Sequence, residues 1–362
     1  MLKTLLKVLT SGCFEPFSHN SQRVFNIAVE SFLLNRLLNM KFVLLFFNKT
    51  RWMQADFFSF LPECGRKPQN SYPRGGNALI VVENCGGMDL AATLDCGQAF
   101  RWQAGPHGWQ GIVENRSVTA RMEGDTLILE GASETDRDFW VHYFALDMDY
   151  PALLAKFSSG NKRLAECVRH KPGIRVLRQP FFETLCTFII SQNNNIPRIR
   201  AIVERLCTGL GQPLEGGGFG FPSAQTLAAL EPEDLAFLRA GWRAEYLIDA
   251  ARRVACGQID ENALRAMPME NARAVLMTIR GVGPKVADCV LLYSLSFWKA
   301  VPMDVWMKKA MCQLFPRGVP VCCRSHAGIA QQFIFDYARH HLPSGQNQKS
   351  ARKMQVKEAS GN

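Results

Sequence analysis

The chain has 362 residues, of which 47% are hydrophobic and 20% charged, and it carries a formal net charge of +10. A mean hydropathy of −0.07 and this mixture exclude wholesale disorder, a collagen repeat and a polytopic membrane protein. With 28 Gly and 18 Pro a long coiled coil is also excluded, and the basic excess points to a polyanion, either nucleic acid or an acidic membrane.

Residues 1–87 carry +5 and differ in texture from the rest. Apolar bursts such as Phe42 to Phe47 are interrupted by Lys41 and Lys49, so no stretch reaches the ~20 apolar residues a spanning helix needs. Leu5, Leu6 and Val8 beside Lys3 and Lys7 faintly resemble a signal peptide, without its cleavage site. Pro62 to Gly76 has linker composition. Regular patterning begins near Met88, so 1–87 is expected to be a non-homologous extension outside the folded region, with translation starting at Met88.

Residues 88–150 are predicted to form an antiparallel sheet domain. Its strands are expected at Leu94 to Trp102, Trp109 to Val113, Ser117 to Met122 and Thr126 to Glu130, with turn residues between them. From 88 to 149 the charge is −7, so this sheet is not the expected phosphate-facing surface.

Residues 151–343 read as helical, and the segment 150–344 carries +9. Helices are predicted across 180–191, 199–206, 244–255, 270–279, 285–295, 304–314 and 328–339. Ser223 is a predicted N-cap and Glu231-Pro232 opens a short helix. The basic tail 344–362 is expected to be disordered. Together the elements predict an α+β protein, a small antiparallel sheet domain followed by an all-helical region. The twelve cysteines stand singly with no CxxC, which suits reduced thiols in a cytosolic setting. Cys312, Cys322, Cys323 and His326 fit no common metal spacing, so no metal and no cofactor are expected.

The segment Leu276 to Cys289 is the most informative. A helix ends, Gly281-Val282-Gly283 turns, and a helix begins at Pro284-Lys285. Glycines let backbone approach another molecule, and the new helix offers free N–H groups to a phosphate. Lys285 in that first turn is a poor place for a cation and a good one for an amine nucleophile. By itself a phosphate-contacting lysine is the plainer reading. Nineteen residues on, Val301-Pro302-Met303-Asp304 offers a carboxylate that is either a helix N-cap or a stabiliser of a sugar cation.

The combination of hairpin, Lys285 and Val-Pro-x-Asp resembles the helix-hairpin-helix DNA glycosylases. Ser191-Gln192-Asn193-Asn194-Asn195-Ile196-Pro197-Arg198-Ile199 and Gly97-Gln98-Ala99-Phe100-Arg101-Trp102 are similar to stretches of the 8-oxoguanine DNA glycosylases. The resemblance spans roughly residues 89–341 and is to the compact bacterial form. It implies excision of 8-oxoguanine opposite cytosine from double-stranded DNA, followed by a Schiff-base lyase step, by a monomer without membrane association.

The resemblance also implies roles. Lys285 is the nucleophile and Asp304 the catalytic aspartate. The Gly97 carbonyl accepts the N7 hydrogen that guanine lacks. Cys289 and Phe335 stack on the extruded base and Gln331 reads its edge. Asn193, Arg198 and Arg243 contact the orphaned cytosine, Trp242 wedges the gap, and Gly281 and Gly283 meet the DNA backbone. Singly, each has an ordinary structural reading: bulge, core residue, cap or solvated arginine. Two departures stand out: Trp306 where vertebrate members carry His, with Lys308 or Lys309 as substitutes, and Tyr293 where a Met is common. The alternatives are an alkyl-purine glycosylase without a lyase step, an endonuclease III type enzyme, disfavoured by the missing iron–sulfur cysteines, and a non-catalytic DNA-binding hairpin protein.

Overall fold

The computed structural model describes residues 78–343; the readings made for residues 1–77 and for the tail 344–362 lie outside them. Five strands form one antiparallel sheet: β1 (Leu79–Val82), β2 (Trp102–Gly105), β3 (Gly108–Val113), β4 (Arg116–Glu123) and β5 (Thr126–Glu130). Their order is β1-β5-β4-β3-β2.

The expected boundary at Met88 is corrected by β1. Leu79 pairs with Glu130 and Val82 with Leu127, and Ile80 is fully buried in the sheet's own core. Arg175, from the helical region, donates to the Cys85 carbonyl at 3.2 Å. A chain beginning at Met88 would therefore lack a strand. The signal was missed because Leu79–Val82 is too short for alternation to stand out beside a glycine- and asparagine-rich flank.

A second correction concerns 94–102. Asp89 caps a short helix α1 (Leu90–Leu94) by accepting from Ala92 N at 2.9 Å. Gly97 then turns with φ +84°, and the strand begins only at Trp102. That Trp102 indole donates to the Tyr143 hydroxyl at 2.8 Å within an aromatic core completed by Trp140 and Phe144.

The helices are α2 (Arg137–Tyr143), α3 (Tyr150–Gly160), α4 (Lys162–His170), α5 (Phe181–Ile190), α6 (Ile196–Leu210), α7 (Ala224–Ala228), α8 (Arg243–Ala255), α9 (Glu261–Ala266), α10 (Met269–Leu276), α11 (Pro284–Tyr293), α12 (Val305–Gln313) and α13 (Ala327–His341). Ser223 caps α7 as expected, accepting from Thr226 N at 3.1 Å. Helix α11 is the centre of this half, with Val286 to Tyr293 all buried. The observed architecture is the expected one, a small antiparallel sheet followed by a mostly helical region.

The two halves are joined by the 96–101 segment. Gln98 is fully buried; its amide nitrogen donates to Thr93 O and Arg175 O, and its oxygen accepts from Leu177 N. Arg101 meets Glu183 of α5 at 3.3 Å inside the protein. The Gly-Gln-x-Phe-Arg-Trp run is thus mostly a structural clasp, which holds Gly97 against the helices.

Candidate active site at the hairpin

The hairpin joins α10 to α11, and its two glycines serve different ends. Gly281 has φ +78°, and a Cβ there would strike the Tyr246 ring. Only glycine suits that position on both grounds. A Cβ at Gly283 would meet nothing, so this position faces open space where a DNA backbone can approach. Arg280, exposed beside it, pairs with Glu245 at 2.8 Å.

Lys285 lies in the first turn of α11, partly buried. Its amine donates to Ser191 Oγ at 3.2 Å and sits 5.0 Å from the Phe188 ring centroid. Ser191 ends α5, so the two helices converge on the amine. Cys289, one turn along α11, is 2% exposed. Burial pushes its thiol up to about 11 despite the adjacent Lys285, which pulls it down. It is therefore a neutral, apolar wall.

Asp304 caps α12, accepting from Met307 N at 2.7 Å. The N-cap reading of this residue holds, and the capped carboxylate lies within electrostatic reach of Lys285. Burial holds its carboxyl above the ordinary aspartate value, opposed by the cap bonds, Lys285 and Arg339.

Helix α13 supplies the remaining wall. Gln331 is 3% exposed, and its side-chain oxygen has no partner among the described residues. A buried unpaired acceptor is costly unless something else uses it. Phe335 lies one turn on; a Cβ on Gly97 would sit 3.9 Å from its Cε1. So Gly97 and Phe335 are neighbours, and Gln331 lies one turn before Phe335 on the same face of α13. Tyr293 stacks on Phe188 at 5.4 Å and donates to Gln332 at 2.7 Å. Gln332 in turn donates to the Cys96 carbonyl at 3.2 Å, next to Gly97.

The asparagine triplet divides its work. Asn193 is exposed with φ +46°. Asn194 donates to Ile190 O at 3.1 Å, closing α5. Asn195 accepts from Arg198 N at 3.0 Å, opening α6. Trp242 is 46% exposed, and Arg198 is exposed as well. Arg243 departs from expectation: it is 3% exposed, and its guanidinium donates to the carbonyls of Gln192, Asn193 and Ala240. It holds the Asn193 turn from behind rather than facing solvent.

The sequence reading missed three residues: Ser191, Gln332 and Arg339. Arg339, one turn beyond Phe335, was legible as the next position on the same face of α13. Trp306 carries Lys309 at 5.3 Å over its ring. The ten cysteines of the described region are unpaired. Among the described residues no helix is long and apolar enough to cross a membrane.

Two family models cover this architecture from β1 through α12. Residues 80–185 match the 8-oxoguanine DNA glycosylase N-terminal domain, and residues 186–318 match the HhH-GPD superfamily base excision DNA repair protein. Fold and site thus define a base-excision-repair DNA glycosylase/lyase class. An N-glycosylase/DNA lyase of Arabidopsis thaliana is 30% identical over 70% of this chain and 74% of its own length. That of Saccharomyces cerevisiae is 32% identical over 66% and 70%. Among solved structures, the 8-oxoguanine glycosylase/lyase of Clostridium acetobutylicum, in complex with DNA containing cytosine opposite 8-oxoguanine, superposes with a TM-score of 0.68. It is 31% identical, and the match covers 74% of this chain and 97% of that one. The chain belongs to the helix-hairpin-helix glycosylase superfamily and is closely related to the bacterial and eukaryotic 8-oxoguanine DNA glycosylases.

Proposed function

We propose that this enzyme excises 8-oxoguanine opposite cytosine from duplex DNA and then nicks the strand through a Schiff base. The observation that carries this reading is the convergence of Lys285, Cys289 and Asp304, which Arg339 links to Gly97 and Phe335.

The target base and C1′ cannot be reached inside the stack, so the nucleotide is flipped out. Trp242 and Asn193 fill the gap, with Arg198 beside the orphaned cytosine and Arg243 supporting their turn. The base enters between Cys289 and Phe335. Cys289 and Gln331 are buried without DNA, so side chains around them must move to admit it. The Gly97 carbonyl accepts the N7 hydrogen of the lesion; guanine has none, and an unpaired buried acceptor rejects it.

The Lys285 free amine attacks C1′. The C1′–N9 bond breaks, and the base leaves with the electron pair and takes up a proton. Asp304 stabilises positive charge on the sugar. The sugar ring opens to give an imine between Lys285 and C1′. Loss of a C2′ proton then expels the 3′ phosphate.

The test is borohydride trapping on duplexes holding 8-oxoguanine opposite each base. The expected result is a covalent adduct, strongest opposite cytosine and absent from Lys285→Gln. Adduct formation by Lys285→Gln, or excision of methylated purines in preference to 8-oxoguanine, overturns the reading.

A further inference from the structure

Arg339 stands beside Gly97 and Phe335 without a hydrogen-bond or salt-bridge partner among the described residues. It projects from α13 one turn beyond Phe335, with its guanidinium 5.6 Å from the Phe335 ring centroid. A Cβ built on Gly97 would lie 3.9 Å from an Arg339 terminal nitrogen and equally far from the Phe335 edge. The arginine therefore borders the same face of Gly97 as the stacking aromatic. Its charge also reaches Asp304, favouring that carboxylate.

The guanidinium is half-buried. Among the described residues it makes no hydrogen bond and no salt bridge. Buried arginines elsewhere in the fold behave otherwise: Arg101, Arg175 and Arg243 all spend donors on backbone carbonyls. Arg178 is paired with Asp147 at 2.6 Å. Five donors left over at the mouth of a base pocket are donors for a ligand.

We propose that Arg339 is a specificity-determining residue, which donates to a carbonyl oxygen of the flipped base on the edge next to N7. 8-Oxoguanine offers O8 and O6 on either side of N7; guanine shares O6, so O8 is the oxygen through which Arg339 would select the lesion. Gly97 would then read the N7 hydrogen and Arg339 an adjacent oxygen, so that donor and acceptor together match the lesion edge. This deepens the proposed function and rests on it. The other chemistry open to a cation here is a phosphate of the flipped nucleotide, and the two differ in a measurable way. A phosphate contact persists when the base is gone; a base contact does not.

The experiment compares wild type, Arg339→Ala and Arg339→Lys in the full chain. Single-turnover release of 8-oxoguanine is measured beside affinity for the same duplex with a tetrahydrofuran abasic analogue. A charge-assisted hydrogen bond predicts a loss of release of about ten- to hundredfold in Arg339→Ala. Arg339→Lys, which keeps charge but not the fork, should recover only part of it. Affinity for the abasic duplex should be retained by both, which also shows that they fold. Equal losses in release and abasic affinity would make Arg339 a phosphate ligand and overturn the proposal, as would unchanged release. Absence of 8-oxoguanine release by wild type would instead sink the function reading itself.

Discussion

In the proposed mechanism a lysine and an aspartate at two helix N-termini carry the chemistry, and each is held by the simplest local device. Lys285 is placed by its position in the first turn and by Ser191, Asp304 by its own cap. Because burial raises the Asp304 carboxyl above its ordinary value, its active, ionised form is lost at higher pH than an exposed aspartate's. Excision should therefore decline on the acid side with an apparent pKa above the ordinary carboxylate value. Asp304→Asn should lower the rate by roughly 10²- to 10⁴-fold and abolish that limb in a pH–rate profile; an unchanged limb would assign it elsewhere. The two hairpin glycines separate equally well. Gly281→Ala combines strain at positive φ with a clash against Tyr246, and should cost at least about 1–3 kcal/mol in denaturant unfolding. Gly283→Ala should melt like wild type and bind duplex DNA more weakly. Loss of stability in Gly283→Ala instead would make it a folding residue.

Helices and hairpin turns were legible in the sequence because they are long enough to show a period or carry a fixed punctuation. Helix α11 follows a glycine hairpin and a proline, α7 follows Ser223, and β3 to β5 alternate between turn residues. What was not legible was set by contacts distant in sequence. Leu79–Val82 is a strand only because β5 offers it an edge, and 90–94 is helical only because Asp89 caps it. Arg243 is the corresponding case in the site: the family resemblance implied a cytosine contact, but carbonyls of the Asn193 turn take up donors of its guanidinium. The status of β1 can be measured in the full chain. Ile80 is fully buried, so Ile80→Ala should destabilise by about 2–5 kcal/mol. A variant as stable as wild type would return the boundary to Met88.

At the scale of the whole molecule, extending the sheet to residue 78 sharpens the charge map. Residues 78–149 carry −8 and residues 150–343 carry +9, so the described protein is nearly neutral and strongly polarised. The basic half is the one that presents the hairpin, Lys285, Arg198 and the exposed Arg280. Arg280 shares its charge with Glu245 at 2.8 Å, and many sheet arginines are likewise paired with carboxylates, as Arg121 is with Glu130 at 3.2 Å. Arg280, however, lies on the basic half and Arg121 on the acidic one. Duplex affinity should therefore fall with salt, and removing a side chain that neutralises one phosphate should flatten the log–log slope by about 0.9. A double Arg198→Ala, Arg280→Ala variant should flatten it by nearly 2 if both touch phosphate, or by about 1 if Arg198 faces a base instead. Arg121→Ala should leave the slope as it is. Anisotropy titrations across a salt series decide this. A slope that responds to Arg121 and not to the helical arginines would move the DNA surface onto the sheet, against the field the sequence sets up.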